Sequence, residues 1–269
     1  MFFLPGKCQN HAYNREERVK KTIHIDKVLK KMIRVPIYAH RGASAYALEN
    51  SSAAFMKAIE LGADGLEIDL QLTKDLVPIV THDLDFWRLA RTRRNVSSMN
   101  YDEVKKLKLG TSFLRLINGN SILTFDDVLT FAGNNNLALN VELKETFIDA
   151  PEKINKLFRG SYSHLNIHFS SFHYEVLERI KNCNPMLQTA YIGTKKTNWE
   201  ELGRLKAADA LHMHKRHYVQ KKLDLAFESS MPLRFYGIDG TEKYLAKPHP
   251  VVLGWITDYP DKVLVKQLI

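Results

Sequence analysis

The chain has 269 residues, 45% of them hydrophobic and 26% charged, the proportions of an ordinary globular protein able to build a sizeable core. That length admits one or two domains, and a single α/β barrel commonly runs to about 250 residues. The formal charge of +9 directs attention to anionic partners, but the basic residues are scattered and lack the zinc-finger spacing, RNP-like aromatic motif or long basic tail of a nucleic-acid binder.

Residues 1–35 read as an N-terminal extension. Its opening, "MFFLPGKCQN", has a brief apolar run followed rather than preceded by basic residues, unlike a signal peptide. Its one regular stretch, "IDKVLKKMI", is a basic amphipathic pattern expected to cap a barrel, with membrane contact as the alternative. Elsewhere every apolar run is too short to span a bilayer. Cys8 and Cys183 are too few for a disulfide framework and show no metal-ligand spacing. A cytoplasmic location is therefore expected, compatible with association at a membrane surface.

From residue 36 onward, short β-branched or apolar runs alternate with helical patterns. The runs are 36–40, 65–70, 139–144, 167–172, 187–193, 210–214, 233–238 and 252–258. Helical patterns between them include the one after Asn50, read as an N-cap, then "TFDDVLTFAGNN", "HYEVLERIKN" and "VQKKLDLAFESS", with a last helix after Pro260. Eight strands with intervening helices imply a (β/α)₈ TIM barrel over 36–269. An open doubly wound sheet is the rival, but no glycine-rich dinucleotide turn follows the first strand. After the second strand, "QLTKDLVPIVTHD" reads as a hairpin that would set the region of Asp69 opposite that of His82. The 84–123 stretch is then an insertion, too long for a plain connection.

Alternate residues of a strand share a face, so Glu67 and Asp69 project together, as do Glu142 and Lys144. Three carboxylates at strand ends around one barrel mouth repel each other unless a cation sits among them, and an all-oxygen set suits one divalent ion, Mg²⁺ or Ca²⁺. The alternative is an ion-pair network with Arg41 and Lys144. His40 ends the first strand and His82 ends the hairpin. Two imidazoles beside a metal can divide phosphodiester cleavage, one taking a proton from the attacking oxygen and the other giving one to the leaving oxygen. Arg41 and Lys144 add donors to the phosphate, and Gly42 lets the backbone turn closely past it.

Together "AHRGASAYALEN", "AFMKAIELGADGLEIDLQLTKDLVPIVTHD", "LTFDDVL", "LNVELK", "SSF" and "GWITDYPD" resemble, in order from residue 36 to 261, the glycerophosphodiester phosphodiesterase family. The resemblance implies a TIM barrel that hydrolyses glycerophosphodiesters to an alcohol and glycerol 3-phosphate. It implies His40 and His82 as the acid/base pair, Glu67, Asp69 and Glu142 as metal ligands, and Arg41 and Lys144 as phosphate contacts. Glu49 matches a motif acid near the first histidine and is counted with the substrate-binding residues.

Departures from the family pattern are instructive. Leu48 replaces a usual Pro, and "LDFWRLARTRRN" replaces an Arg-Thr-Thr and Gly-containing loop on the leaving-group side. The late Trp-Thr-Val-Asn stands here as "YGID", placing Tyr236 where Trp would stack and adding Asp239, an acid able to alter metal preference. Phe172 is expected to line the pocket, with core packing as its alternative. Substrates within the family reading are small glycerophosphodiesters or, as in a lysophospholipase D, lysophospholipids. A catalytically idle barrel holding an anionic lipid or a partner, and a nuclease, are the competing classes; no nucleic-acid partner is expected. The sequence leaves the oligomeric state open.

Overall fold

The strand pattern of the sequence closes into a barrel. The structure is a computed structural model that describes residues 34–110, 120–158, 162 and 165–269. Among these residues the strands are β1 (Ile37–His40), β2 (Gly65–Leu72), β3 (Pro78–Val80), β4 (Asp85–Phe86), β5 (Thr92–Asn95), β6 (Ala138–Leu143), β7 (Ile167–Ser171), β8 (Gln188–Ile192), β9 (Ala210–His214), β10 (Leu233–Ile238) and β11 (Val252–Thr257). Neighbours run β1-β11-β10-β9-β8-β7-β6-β2, and β1 also pairs with β2, so eight parallel strands make a closed ring. β3 pairs antiparallel with β2, with Leu70 opposite Val80, and the Thr81 amide donates to the Asp69 carbonyl at 3.0 Å. The expected hairpin extension is thus present.

The helices are α1 (Ser52–Glu60), α2 (Trp87–Ala90), α3 (Tyr101–Val104), α4 (Phe125–Asn135), α5 (Pro151–Phe158), α6 (Tyr174–Cys183), α7 (Gln220–Glu228) and α8 (Pro260–Leu268). α4 starts with a reciprocal cap: the Asp127 amide donates to Thr124 Oγ1, and Asp127 accepts from the Thr124 amide. The cap of α1 is Ser51, whose hydroxyl accepts from the Ala54 amide, and not Asn50. Asn50 instead has φ 53° and turns its side chain into the barrel mouth, a placement the helix periodicity could not show. The crossovers after β8 and β10 are short 3₁₀ segments, Trp199–Arg204 and Lys243–Leu245.

Outward-facing residues such as Leu66, Ile68, Leu139, Val141 and Phe169 pack against Phe55, Val128 and Leu177 of the helices. On the other side Leu211, Met213, Phe235 and Trp255 pack against Leu223 and Val263. Burying each such side chain contributes roughly 1.5–3 kcal/mol, so the helix layer holds the ring shut. The 84–123 insertion has its own small core of Phe86, Leu89, Val96, Met99, Val104, Leu109 and Ile122 around Ile79. Residues 1–33, including the helix expected at 25–33, lie outside the described residues.

Candidate active site

Strand register assembles the site. His40 of β1 pairs with Glu67 of β2, and Asp69 of β2 pairs with Glu142 of β6. Side chains level with one another on adjacent parallel strands point the same way, so residues from three strands meet at the C-terminal end of the barrel. One oxygen from each of Glu67, Asp69 and Glu142 lies within 4.8 Å of the others, and all three residues are buried. A cavity of about 230 Å³ opens beside them, lined by His40, Arg41, Glu67, His82, Glu142 and Lys144. Asn140, Phe172, Ile192, His212, Tyr236 and Ile256 complete its lining.

Each histidine has a carboxylate behind it. His40 Nδ1 donates to Asp258 Oδ1 at 2.7 Å and His82 Nδ1 donates to Asp83 Oδ1 at 2.8 Å. With Nδ1 engaged, Nε2 is the nitrogen left to exchange a proton. Burial opposes charge on His40, but the Glu67 carboxylate and the Asp258 hydrogen bond outweigh it and hold the ring up at about 9.

The acids are tied in from behind. Arg41 Nε lies 3.1 Å from Asp69 Oδ2, an ion pair without hydrogen-bond alignment, and its backbone amide donates to Glu67 Oε2 at 3.0 Å. Asn50 Nδ2 donates to Asp69 Oδ2 at 3.1 Å. Lys144 Nζ donates to Glu142 Oε1 at 2.6 Å and stands 3.5 Å from Asp69 Oδ1. The ion-pair network weighed as the alternative therefore exists, yet it does not satisfy the cluster. Asp69 Oδ1 is buried without a hydrogen bond. Burial, then repulsion from Asp69, pushes the Glu142 carboxyl up to about 8 and raises Glu67, while Arg41 and Lys144 outweigh burial and hold Asp69 below its usual range. Even with Arg41, Lys144 and His40 beside them, two of the three acids are pushed up and Asp69 Oδ1 stays without a hydrogen bond. A hard dication fits an all-oxygen donor set of this kind.

Arg41 has φ 56°, an uncommon left-handed conformation for a residue with a Cβ, and such strain concentrates at functional sites. Gly42 follows at φ 80°, and a Cβ there would meet the Ala54 backbone at 2.7 Å. A close approach that requires glycine here is the one to helix α1. Glu49 stands behind Arg41, accepting from its Nη1 at 3.0 Å, and does not line the cavity. Phe172 does line it, 41% exposed with Lys144 Nζ 6.0 Å from its ring, as does half-buried Tyr236. Asp239 lies outside the cavity, where Lys215 binds it and holds its carboxyl at about 2.

Four participants escaped the sequence reading: Asn50, Asp83, Asp258 and Arg88. Arg88, on α2, donates through Nη2 to Glu49 Oε1 and through Nε to Asp83 Oδ2, both at 2.8 Å. It joins the residue behind Arg41 to the residue behind His82. For Asp83 and Asp258 the motifs "THD" and "ITDYP" were the available signal; for Arg88 none was.

A glycerophosphodiester phosphodiesterase of Caldanaerobacter subterraneus is 30% identical over 233 residues, covering 85% of this chain and 96% of the relative. A human lysophospholipase D is 31% identical over 148 residues, 52% of this chain and 46% of that protein. Among solved structures, an Oleispira antarctica phosphodiesterase in complex with the product sn-glycerol-3-phosphate has a TM-score of 0.77 at 23% identity, covering 88% of this chain and 98% of that one. A glycerophosphodiester phosphodiesterase from Thermotoga maritima gives 0.69 at 25% identity, covering 87% and 98%. Residues 40–262 match the Glycerophosphoryl diester phosphodiesterase family, and the chain, a TIM-barrel phosphodiesterase, belongs to that family.

Proposed function

We propose that this enzyme hydrolyses glycerophosphodiesters to an alcohol and sn-glycerol 3-phosphate, using a divalent cation held by Glu67, Asp69 and Glu142 and proton transfer by His40 and His82. The observation that carries the reading is the meeting of two Asp-backed histidines and a buried trio of acids at one cavity. Bound there, Mg²⁺ or Ca²⁺ supplies stabilisation of charge on the phosphoryl oxygens. Arg41 and Lys144, both bordering the cavity, add charged donors to the same group. One histidine accepts the proton of the attacking oxygen while the other, already protonated, gives its proton to the departing oxygen, so the pair ends with its roles exchanged. Asp83 and Asp258 fix the tautomers, and Asn50 and Arg41 hold Asp69 in place. The attacking oxygen is that of water or of the substrate's own glycerol hydroxyl, and a cyclic phosphate detected by phosphorus NMR would establish the second.

A second reading, lysophospholipids as substrates, is favoured by apolar residues in the cavity lining, Phe172, Ile192 and Ile256. It accords with the human relative named a lysophospholipase D. Access to such substrates implies peripheral contact with a membrane. The location proposed remains cytoplasmic; no helix among the described residues is long and apolar enough to cross a membrane.

The test is release of glycerol 3-phosphate from a panel of glycerophosphodiesters and lysolipids, with Mg²⁺, Ca²⁺ or a chelator. Metal-dependent release that is lost in both His40→Ala and His82→Ala is expected. Equal release by either variant would refute the histidine roles, and none from the wild-type chain would leave an idle binding barrel.

A further inference from the structure

Helix α2 faces two ways. Arg88 points to Asp83 and Glu49, whereas its neighbour Trp87 is 41% exposed. The other two tryptophans of the chain, Trp199 and Trp255, are buried. The guanidinium carbons of Arg93 and Arg91 lie 4.5 and 5.3 Å from the centroid of the Trp87 ring. Arg88 and Arg94 are paired with acids, but Arg91 and Arg93 form no ion pair among the described residues, and both are exposed. Leu84, 49% exposed, adds apolar surface beside them in sequence. Arg88, adjacent to Trp87, donates to Asp83, which holds the cavity-lining His82, so this patch lies toward the end of the barrel where the cavity opens.

We propose that Trp87, Arg91 and Arg93 dock the enzyme on an anionic phospholipid bilayer. Charge complementarity selects the occupant. Two guanidinium groups without acidic partners among the described residues, on a chain of net charge +9, are drawn to the negative surface of such a membrane. An indole beside them is the side chain suited to the headgroup level, apolar in body and polar at its N–H. An acidic protein would match the charge but gives no reason for the patch to sit beside the cavity. A lipid surface does, since it displays the phosphodiester chemistry that the site accepts. The inference deepens the phosphodiesterase reading and rests on it for that last step alone.

The experiment uses the full chain with vesicles of phosphatidylcholine, with or without phosphatidylglycerol. Co-sedimentation and a blue shift of tryptophan emission are expected only with the anionic vesicles, weakening as salt rises. Trp87→Ala removes the shift. The double variant Arg91→Glu/Arg93→Glu weakens partition by about thirty-fold or more. Both variants keep wild-type release of glycerol 3-phosphate from a water-soluble glycerophosphodiester. No partition by the wild-type chain overturns the proposal. So does undiminished partition by both variants, which places membrane contact in another segment. Self-association of the wild-type chain that both variants abolish, without vesicle binding, assigns the patch to a second copy instead. Loss of soluble-substrate hydrolysis in the wild type sinks the catalytic reading and leaves the vesicle result standing.

Discussion

Two layers of the barrel interior are both polar and buried, and they behave oppositely. At the mouth, Glu67, Asp69 and Glu142 lie among Arg41, Lys144 and His40, so buried groups of opposite charge stand side by side. Below it, Tyr38, His168, His212 and Arg234 pack ring against ring, with centroids 5.4 Å apart for Tyr38 and His168 and 5.6 Å for His168 and His212. Arg234 Nη1 is 3.4 Å from His212 Nε2, and no carboxylate pairs with this group among the described residues. Burial and then the Arg234 charge drive both histidines well below their ordinary value of 6.5, and burial pulls Arg234 down as well. Burial without a carboxylate partner therefore yields neutral histidines that pack. Burial beside opposite charge holds His40 and Asp69 in their ionised forms.

The contrast can be broken most severely at the mouth. Glu142→Gln is expected to lower metal affinity and turnover at least about a hundredfold, measured by calorimetry and product release. In chelator its melting temperature does not fall, because the lost carboxyl is one that burial and Asp69 already disfavour. A large drop in stability would make the acid structural. Next, Arg88→Ala is expected to lower kcat about 10–100-fold with little change in KM, since it frees Asp83 and Glu49 without touching the cavity. Added guanidinium should restore part of the rate, and failure to do so at wild-type stability would reduce Arg88 to a surface pair.

The lower layer answers to pH. Both histidines have a depressed folded pKa, so their contribution is complete above about 6.5 and is lost as pH falls below it, while the unfolded chain takes up protons that the barrel refuses. Unfolding free energies from urea titrations between pH 7 and 5 should fall by up to about 1.4 kcal/mol per pH unit for each ring, and His168→Gln should remove that ring's share of the slope. An unchanged slope in that variant would mean the ring is not held neutral. The smallest effect belongs to Asp239→Asn. Because Lys215 occupies this acid away from the cavity, metal preference and turnover should stay within about twofold of wild type.

The sequence made the barrel legible because its eight strands repeat a short apolar signal, and each observed strand lies within a residue or two of its expected bounds. Strands β4 and β5 of the insertion went unseen: "DF" and "TRRN" carry no alternation, and their pairing is supported by the small core around Phe86. At the site, Glu67, Asp69 and Glu142 were readable from i, i+2 spacing, which fixes a face. Their partners were not, because His40 to Asp258 spans 218 positions and Arg88 to Glu49 spans 39, distances that only closure of the ring and folding of the insertion determine. Asn50 looked like a helix cap because the residue type suits both tasks. Its positive φ, a property of the folded loop, chose the other.

Closure between β1 and β11 carries a consequence for biosynthesis. His40 leaves the ribosome early, yet the carboxylate that steadies its ring comes from Asp258, directly after the final barrel strand. A nascent chain thus cannot assemble the proposed proton-transfer pair in full until translation has passed the last strand, and on that reading incomplete products that escape quality control would be hydrolytically silent rather than indiscriminate.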